Sequence, residues 1–208
     1  MLTSIGFYPK ALESFLAALK IADDPDSEKY AWNLAKGQTP RKERLTKLGY
    51  LHLTMGHLYG ATKNQSNQIS SYHQSKDIAE SIQDTTLTAG SNWNIGMVYI
   101  RQKKLDSALF YTQKALHLRG PYRGGVLGSI GNIYEAKGEF ELAQDTYQNA
   151  LKAASEENNL FDIASSSVSL GSLYLTLDKP DSSLIYGRKA LKLQKMHNTI
   201  RTWLMHIN

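Results

Sequence analysis

The sequence predicts an all-α chain folded as an α-solenoid of helix-turn-helix repeats, on three observations. A segment with an apolar residue, then Gly, then Tyr three places later occurs four times. A second pattern, small residues around an aromatic, follows each copy. Turn-forming residues separate the two halves.

The four copies of the first pattern are Leu53–Tyr59, Trp93–Tyr99, Gly128–Tyr134 and Val168–Tyr174. Their glycines are Gly56, Gly96, Gly131 and Gly171, spaced by 40, 35 and 40 residues. Downstream come Ala108, Tyr111 and Ala115, then Ala143, Tyr147 and Ala150, then Ser183, Tyr186 and Ala190. Gln68, Tyr72 and Ser75 form the most degraded copy. Both halves carry the 3.6-residue period of amphipathic helices. In Lys137-Gly138-Glu139, Gly138 suits the left-handed residue that ends a helix. In Asp178-Lys179-Pro180-Asp181, Pro180 suits the first turn of the next one. The role of the small residues is steric. Gly and Ala let two helix axes approach, and the Tyr ring fills the gap to the next helix while its hydroxyl reaches water or a carbonyl. One hairpin cannot bury its own apolar face, so stacked neighbours bury it for each other.

The Gly, Tyr, Ala, aromatic, Ala spacing resembles the tetratricopeptide repeat, a helical hairpin of about 34 residues. The best copies are Asn92 to Gly120 and Leu127 to Ala154, and the resemblance covers residues 49–197. It implies a right-handed superhelix. Some positions depart from the family pattern. His52, Asn92, Leu127 and Ser167 stand where the family has Trp, and the Pro that usually closes the repeat is missing. The spacings of 40 imply helices longer by about a turn at the inter-repeat corners, as at Ser155-Glu-Glu-Asn-Asn159.

The expected organisation is one array over residues 1–208, with repeats at 49–82, 89–122, 124–157 and 164–197. Residues 1–22 form a partial repeat. There Ala11, Phe15 and Ala18 match a second helix, and Ile5-Gly6-Phe7 matches the end of a first one. Residues 23–48 exceed a normal connection. A helix is expected from Ser27 to Lys36, closed by Gly37, and Thr39-Pro40 is a start signal for the helix that reaches Gly56. Residues 198–208 read as a cap or as the first helix of a truncated repeat.

Composition narrows the function classes. A 41% hydrophobic and 21% charged chain supports a packed core. No apolar run is long enough to span a membrane. With no cysteine there is no disulfide, thiolate metal site or cysteine nucleophile. This leaves both cytosol and periplasm open, the second if the chain belongs to a membrane-anchored sensor. The start, Met1-Leu-Thr-Ser-Ile-Gly, lacks the cationic-then-apolar pattern of a signal peptide. The net charge of +5 concentrates in residues 36–47 and 184–208. The first stretch has Lys36, Arg41, Lys42, Arg44 and Lys47 against Glu43, and the second has Arg188, Lys189, Lys192, Lys195 and Arg201 with no acid. Such stretches can meet phosphate or an acidic partner. Without a nucleic-acid motif, however, they read as solvated helix faces.

No motif for nucleophilic hydrolysis, phosphate cradling or zinc proteolysis occurs. Gly120-Pro-Tyr-Arg-Gly-Gly125 has no strand before it and reads as a corner between repeats. His52 and His57, five apart, do not share a helical face, and His73, His117, His197 and His206 form no ligand pattern. Asp23, Asp24, Asp26 and Glu28 lack the calcium-loop pattern and read as a helix start. The expectation is a non-catalytic chain with no cofactor and no metal.

The resemblance implies that first helices line a concave groove holding a protein or peptide segment. Carried over by offset from each Gly, the lining includes Tyr50, Leu53 and His57, then Trp93, Met97 and Arg101, then Asn132 and Glu135, then Val168 and Ser172. Gly125 and Gly128 would leave room opposite Trp93 and Met97 for an apolar pocket. Asn132 would bond a peptide backbone and Arg101 a carboxylate. The competing reading makes Trp93 ordinary packing, one residue from the family's usual Trp. Relatives that grip acidic chaperone tails use a clamp matched here by Leu53, His57, Asn94, Gly125 and Ser129, of which only Asn94 fits. Leu105-Asp-Ser-Ala-Leu and Pro180-Asp-Ser-Ser-Leu resemble repeats of bacterial regulators that precede a histidine kinase or DNA-binding output domain. Three function classes follow: a protein-interaction scaffold, a peptide- or small-ligand-responsive switch, and a nucleic-acid-associated module.

Overall fold

The computed structural model describes residues 8–31, 34, 36–118, 120 and 122–207, with side chains up to residue 195. Among them are nine α-helices, one short 3-10 helix and no strand. The helices are α1 (Tyr8–Asp23), α2 (Pro40–Ala61), α3 (Gln65–Ser81), α4 (Thr85–Arg101), α5 (Leu105–His117), α6 (Arg123–Ala136), α7 (Phe140–Glu156), α8 (Leu160–Thr176) and α9 (Pro180–Ile207). The chain forms two compact units, divided after Gln102. In the first, α2 and α3 make a hairpin, α4 packs on both, and α1 lies against α2. In the second, α6 and α7 make a hairpin, α8 packs on both and pairs with α9, and α5 packs on α6. Stacked helical hairpins of α-solenoid type are thus present in each unit.

Side chains set the helix starts. Thr39, Asn64, Asp84 and Asn159 are N-caps, their oxygens accepting from the backbone N–H three residues on, at 3.1, 3.2, 2.9 and 3.2 Å. The helix ends share one device. Six three-residue turns have a left-handed central residue: Lys63, Gln83, Lys103, Gly138, Asn158 and Asp178. After Lys63, Gln83, Gly138, Asn158 and Asp178 the N–H of the next residue reaches back to a carbonyl of the finished helix, as from Asn64 to Tyr59 O at 2.8 Å. Gly138 alone among the six is glycine.

Helix length explains the uneven spacing of the repeat glycines. α3 and α7 have 17 residues each and α5 has 13, a difference of about one turn. The spacings of 40 span the long second helices and that of 35 spans the short one.

The core follows the small-residue rule. A β-carbon on Gly56 would run into the Tyr72 ring, and one on Gly131 would come within 2.5 Å of Tyr147. In the second unit Ala143, Tyr147, Leu170, Leu173 and Tyr174 form a buried cluster, with Tyr186 stacked on Tyr174 at 5.5 Å. α4 is buried over six successive residues, Leu87 to Asn92, with the Ser91 hydroxyl 2.9 Å from that of Ser75.

The two ends differ from the sequence expectation. In place of a helix from Ser27 there is a 3-10 helix, Pro25–Tyr30, started by Asp24, whose carboxylate accepts from Asp26 N at 2.9 Å. Ala31 is extended, and residues 32, 33 and 35 lie outside those described. So does the Ile5-Gly6-Phe7 segment. No separate helix begins at Asn198. α9 runs unbroken to Ile207, since no Gly or Pro follows Gly187 to interrupt it.

Candidate partner-binding cleft

Three helices of the first unit enclose a cleft of about 480 Å3. Its base depends on glycine. A side chain at Gly60 would collide with the Gln68 amide, as one at Gly56 would with Tyr72. Without these β-carbons α3 comes close enough to α2 for Gln68 and Tyr72 to be buried at the cleft. The far wall comes from α4, where Trp93, Met97 and Arg101 follow one another at four-residue steps along a single face. His57 completes the rim from α2, its ring edge-on to Tyr72 at 5.6 Å.

Two hydrogen-bond chains fix the polar groups. The Asn94 amide donates from Nδ2 to the Gly90 carbonyl at 2.8 Å, which turns its Oδ1 toward His57 Nε2, 3.1 Å away. That contact requires the proton on Nε2 and leaves Nδ1 as the acceptor. On the other side Gln68 donates from Nε2 to the Tyr72 hydroxyl at 3.4 Å, and its Oε1 accepts from Arg101 Nη2 at 3.2 Å. Burial pushes the Tyr72 phenol above its ordinary value, against the Gln68 bond and the Arg101 charge. The cleft therefore presents a guanidinium and an imidazole, each held by an amide, beside an indole and a thioether.

Of the residues read from sequence, four meet here: His57, Trp93, Met97 and Arg101. Tyr50 and Leu53 share α2 but do not line the cleft. The remaining four belong to the second unit. Asn132 and Glu135 converge on Tyr147, whose hydroxyl is 2.6 Å from Asn132 Oδ1 and 2.6 Å from Glu135 Oε2. That hydroxyl has one proton. The carboxylate is the stronger acceptor, so the Asn132 amide is best satisfied with its NH2 turned to the phenol oxygen. Burial, reinforced by Glu135, drives the Tyr147 phenol strongly upward. Val168 lines a cleft of about 470 Å3 between α8 and α9, and Ser172 is exposed. Gly125 and Gly128 also lie in the second unit, on α6, and a β-carbon on Gly128 would meet nothing.

Gly60, Gln68, Tyr72 and Asn94 are the cleft residues that sequence reasoning did not assign to it. Gln68 and Tyr72 carried a signal only as the degraded repeat copy, and Asn94 only as the one residue that fitted a clamp.

In the first basic stretch Arg44 and Lys47 have local partners. Arg44 donates from Nε to Glu28 at 2.9 Å and from Nη1 to the Ala22 and Asp23 carbonyls at 3.1 and 3.3 Å. Lys47 pairs with Glu43 at 3.1 Å. On α9, Arg188, Lys189, Lys192 and Lys195 are exposed. His52 is held below its ordinary value by burial, against the charge of Asp23. Among the described residues no cluster of three or more metal-ligating side chains occurs, and no helix is long and apolar enough to cross a membrane.

Comparison with known proteins accords with the helical-hairpin fold. Two tetratricopeptide repeat models match, one over residues 122–196 and one over 89–120, together about half the chain. A kinesin light chain-related protein of Arabidopsis thaliana is 24% identical over 154 residues, 69% of this chain and 23% of that protein. The chain thus spans about a quarter of that relative. Among solved structures, BtubC (BKLC) from P. vanneervenii superposes with a TM-score of 0.72 at 17% identity, over 94% of this chain and 76% of its own. A Rap protein complexed with competence and sporulation factor superposes with a TM-score of 0.59 at 15% identity, over 90% of this chain and 51% of its own. With the repeat glycines, the packed hairpins and the matching models in agreement, the chain belongs to the tetratricopeptide repeat family.

Proposed function

We propose that the chain is a non-catalytic protein-interaction scaffold whose first unit holds a segment of a partner protein in the cleft between α2, α3 and α4. The observation that carries this reading is the pair of amide-held groups at the cleft. Gln68 holds Arg101 and Asn94 holds His57, so a guanidinium donor and an oriented imidazole, its Nε2–H already given to Asn94, stand beside the apolar surfaces of Trp93 and Met97. Ordering side chains before binding lowers the entropy lost on association. The segment that fits places an apolar side chain against Trp93 and Met97 and offers oxygen acceptors to Arg101. The likeness to a Rap protein complexed with competence and sporulation factor supports a narrower role, the sensory segment of a bacterial signalling regulator.

The test is selection of peptides from a displayed random library, followed by calorimetric titration of the selected peptides. Trp93→Ala and Arg101→Ala should each weaken binding by about tenfold or more with helicity unchanged. Failure to select any peptide, or selection of peptides that bind both variants as tightly as the parent, would contradict the cleft reading.

A further inference from the structure

The frame of the α2–α3–α4 cleft recurs 75 positions on, in the second unit, with its chemistry inverted. Gly56, His57, Tyr72 and Asn94 become Gly131, Asn132, Tyr147 and Ser169 at the same offsets. Where Gly60 leaves room for the Gln68 amide that holds Arg101, the second unit carries Glu135, and Gln68 and Arg101 give way to Ala143 and Thr176. Tyr147 is fully buried, its ring in the space that Gly131 leaves open, so its hydroxyl is a fixed point. That hydroxyl gives its one proton to Glu135 Oε2 at 2.6 Å, and the Asn132 amide at 2.6 Å turns its NH2 to the phenol oxygen. Ser169 on α8 directs its hydroxyl at the same oxygen. The donors of the cluster are thus spent inward. What faces outward is Glu135 Oε1, which reaches solvent on a half-buried residue, and Oδ1 of the exposed Asn132. Among the described residues no lysine, arginine or histidine pairs with the Glu135 carboxylate. Lys137, two residues on, is taken by Asp106 and Glu139 at 3.1 and 3.6 Å. Helices α6, α7 and α8 together carry five acids, with Arg123 and Lys152 as their cations. α6 ends at Ala136, which sets the negative pole of that helix beside Glu135.

The geometry points to a cation subsite in the second unit, in which Glu135 and Asn132, oriented by Tyr147, take the ammonium or guanidinium of a lysine or arginine side chain of a bound polypeptide. Both cations offer only donors, an ammonium three and a guanidinium five, and the outward face of the cluster offers only acceptors. The buried phenol fixes one carboxylate oxygen, so the other is already aimed and little order is lost when a cation arrives. A polypeptide is the occupant because one half-buried carboxylate forms a weak ion pair, and the rest of a chain must supply the remaining affinity. The subsite lies outside the first-unit cleft and rests on the scaffold reading only in that the ligand is a polypeptide.

Peptides selected on the parent chain from a displayed random library, then titrated by calorimetry, test this. A lysine or arginine should recur at one peptide position. Glu135→Gln keeps an acceptor for the Tyr147 hydroxyl and should weaken such peptides by about three- to tenfold. Norleucine in place of the peptide's basic residue should weaken them by a similar factor, and the two losses should not add. Added salt should weaken the parent complex more than the Glu135→Gln complex. Circular dichroism checks that helicity is kept, and Glu135→Asp, which draws the carboxylate back, should lose part of the same affinity. Trp93→Ala in the same series separates this site from the cleft of the first unit. Peptides weakened by Trp93→Ala and untouched by Glu135→Gln would overturn the cation subsite and leave the cleft standing, and the converse would leave the subsite standing alone. A library that yields no peptide overturns both. Selected peptides with no recurring basic residue, losses that add in full, or free arginine binding as tightly as the peptide would each overturn the subsite.

Discussion

The ring of Tyr72 occupies the space beside Gly56 that a β-carbon would fill, so α2 and α3 can approach only because position 56 has no side chain. Tyr147 and Gly131 repeat the relationship between α6 and α7.

α6 offers a controlled comparison of this effect. Gly131→Ala would force a β-carbon to within 2.5 Å of the Tyr147 ring and should destabilise by about 1–3 kcal/mol. Gly128→Ala, one turn earlier, meets nothing within 4 Å and should stabilise by about 0.5–1 kcal/mol, since alanine loses less backbone entropy in a helix. Urea denaturation of both variants checks the opposite signs.

The turns make a second test. Gln83 and Asp178 are left-handed, at φ of 56° and 54°, a conformation that costs an L residue about 1–2 kcal/mol. Glycine at either site should raise the thermal midpoint, its greater freedom in the unfolded chain offsetting part of the gain. Gly138→Ala, at φ of 78°, should lower it. Differential scanning calorimetry on the three variants compares them directly.

Asp162 supplies a third. α6 starts at Tyr122 with no side-chain cap, and the Gly125 N–H of its first turn donates to the carboxylate of Asp162 on α8. Asn159 also donates to that carboxylate, at 2.8 Å. Burial raises the Asp162 pKa above its ordinary 3.8, against the Gly125 bond. The folded chain therefore keeps the proton longer than the unfolded chain, and this contribution to stability is lost as pH rises from 3.8 through the folded pKa. Asp162→Asn should remove that downward step while its amide oxygen still accepts from Gly125. Asp162→Ala should lose the cap at every pH, by about 1–2 kcal/mol. Denaturation midpoints from acid to neutral pH distinguish the two.

Much of the repeat was legible before the structure because glycine and tyrosine at fixed spacing leave few alternatives. Gly56, Gly131 and their ring partners were readable from sequence, as were the helix starts at Thr39 and Pro180 and the helix end at Gly138. The left-handed Lys63, Gln83 and Lys103 were not, because the helix end imposes a conformation that lysine and glutamine side chains do not signal, whereas Asn158 and Asp178 are residue types that adopt it more readily. The family resemblance put His57, Trp93, Met97 and Arg101 on a groove face, and these four border the cleft. Gln68 and Asn94 matter through bonds between helices, which no local pattern records. Sequence placed Asn132 in a groove to meet a partner's backbone, whereas its amide already meets the Tyr147 hydroxyl.

Arg44 gives a fourth prediction. It is 12% exposed and ties the 3-10 helix and the end of α1 to α2 through Glu28, Ala22 and Asp23. Arg44→Ala leaves Glu28 without its cation and should cost about 1.5–3 kcal/mol locally. Arg44→Lys should not restore it, since an ammonium cannot reach all three oxygens in the geometry of the fork. Faster amide exchange confined to α1 and the 3-10 helix is the expected reading by hydrogen-exchange mass spectrometry.

The most direct test of partner binding at the α2–α3–α4 cleft follows the methyl resonances of the methionines while a library-selected peptide is added. Met97 lines the cleft and Met55 is buried in α2, 3% exposed. The expected result is a saturable shift of the Met97 methyl with Met55 unmoved, abolished by Trp93→Ala. Peptide binding that leaves the Met97 methyl where it was would contradict the cleft as the place where a partner is held.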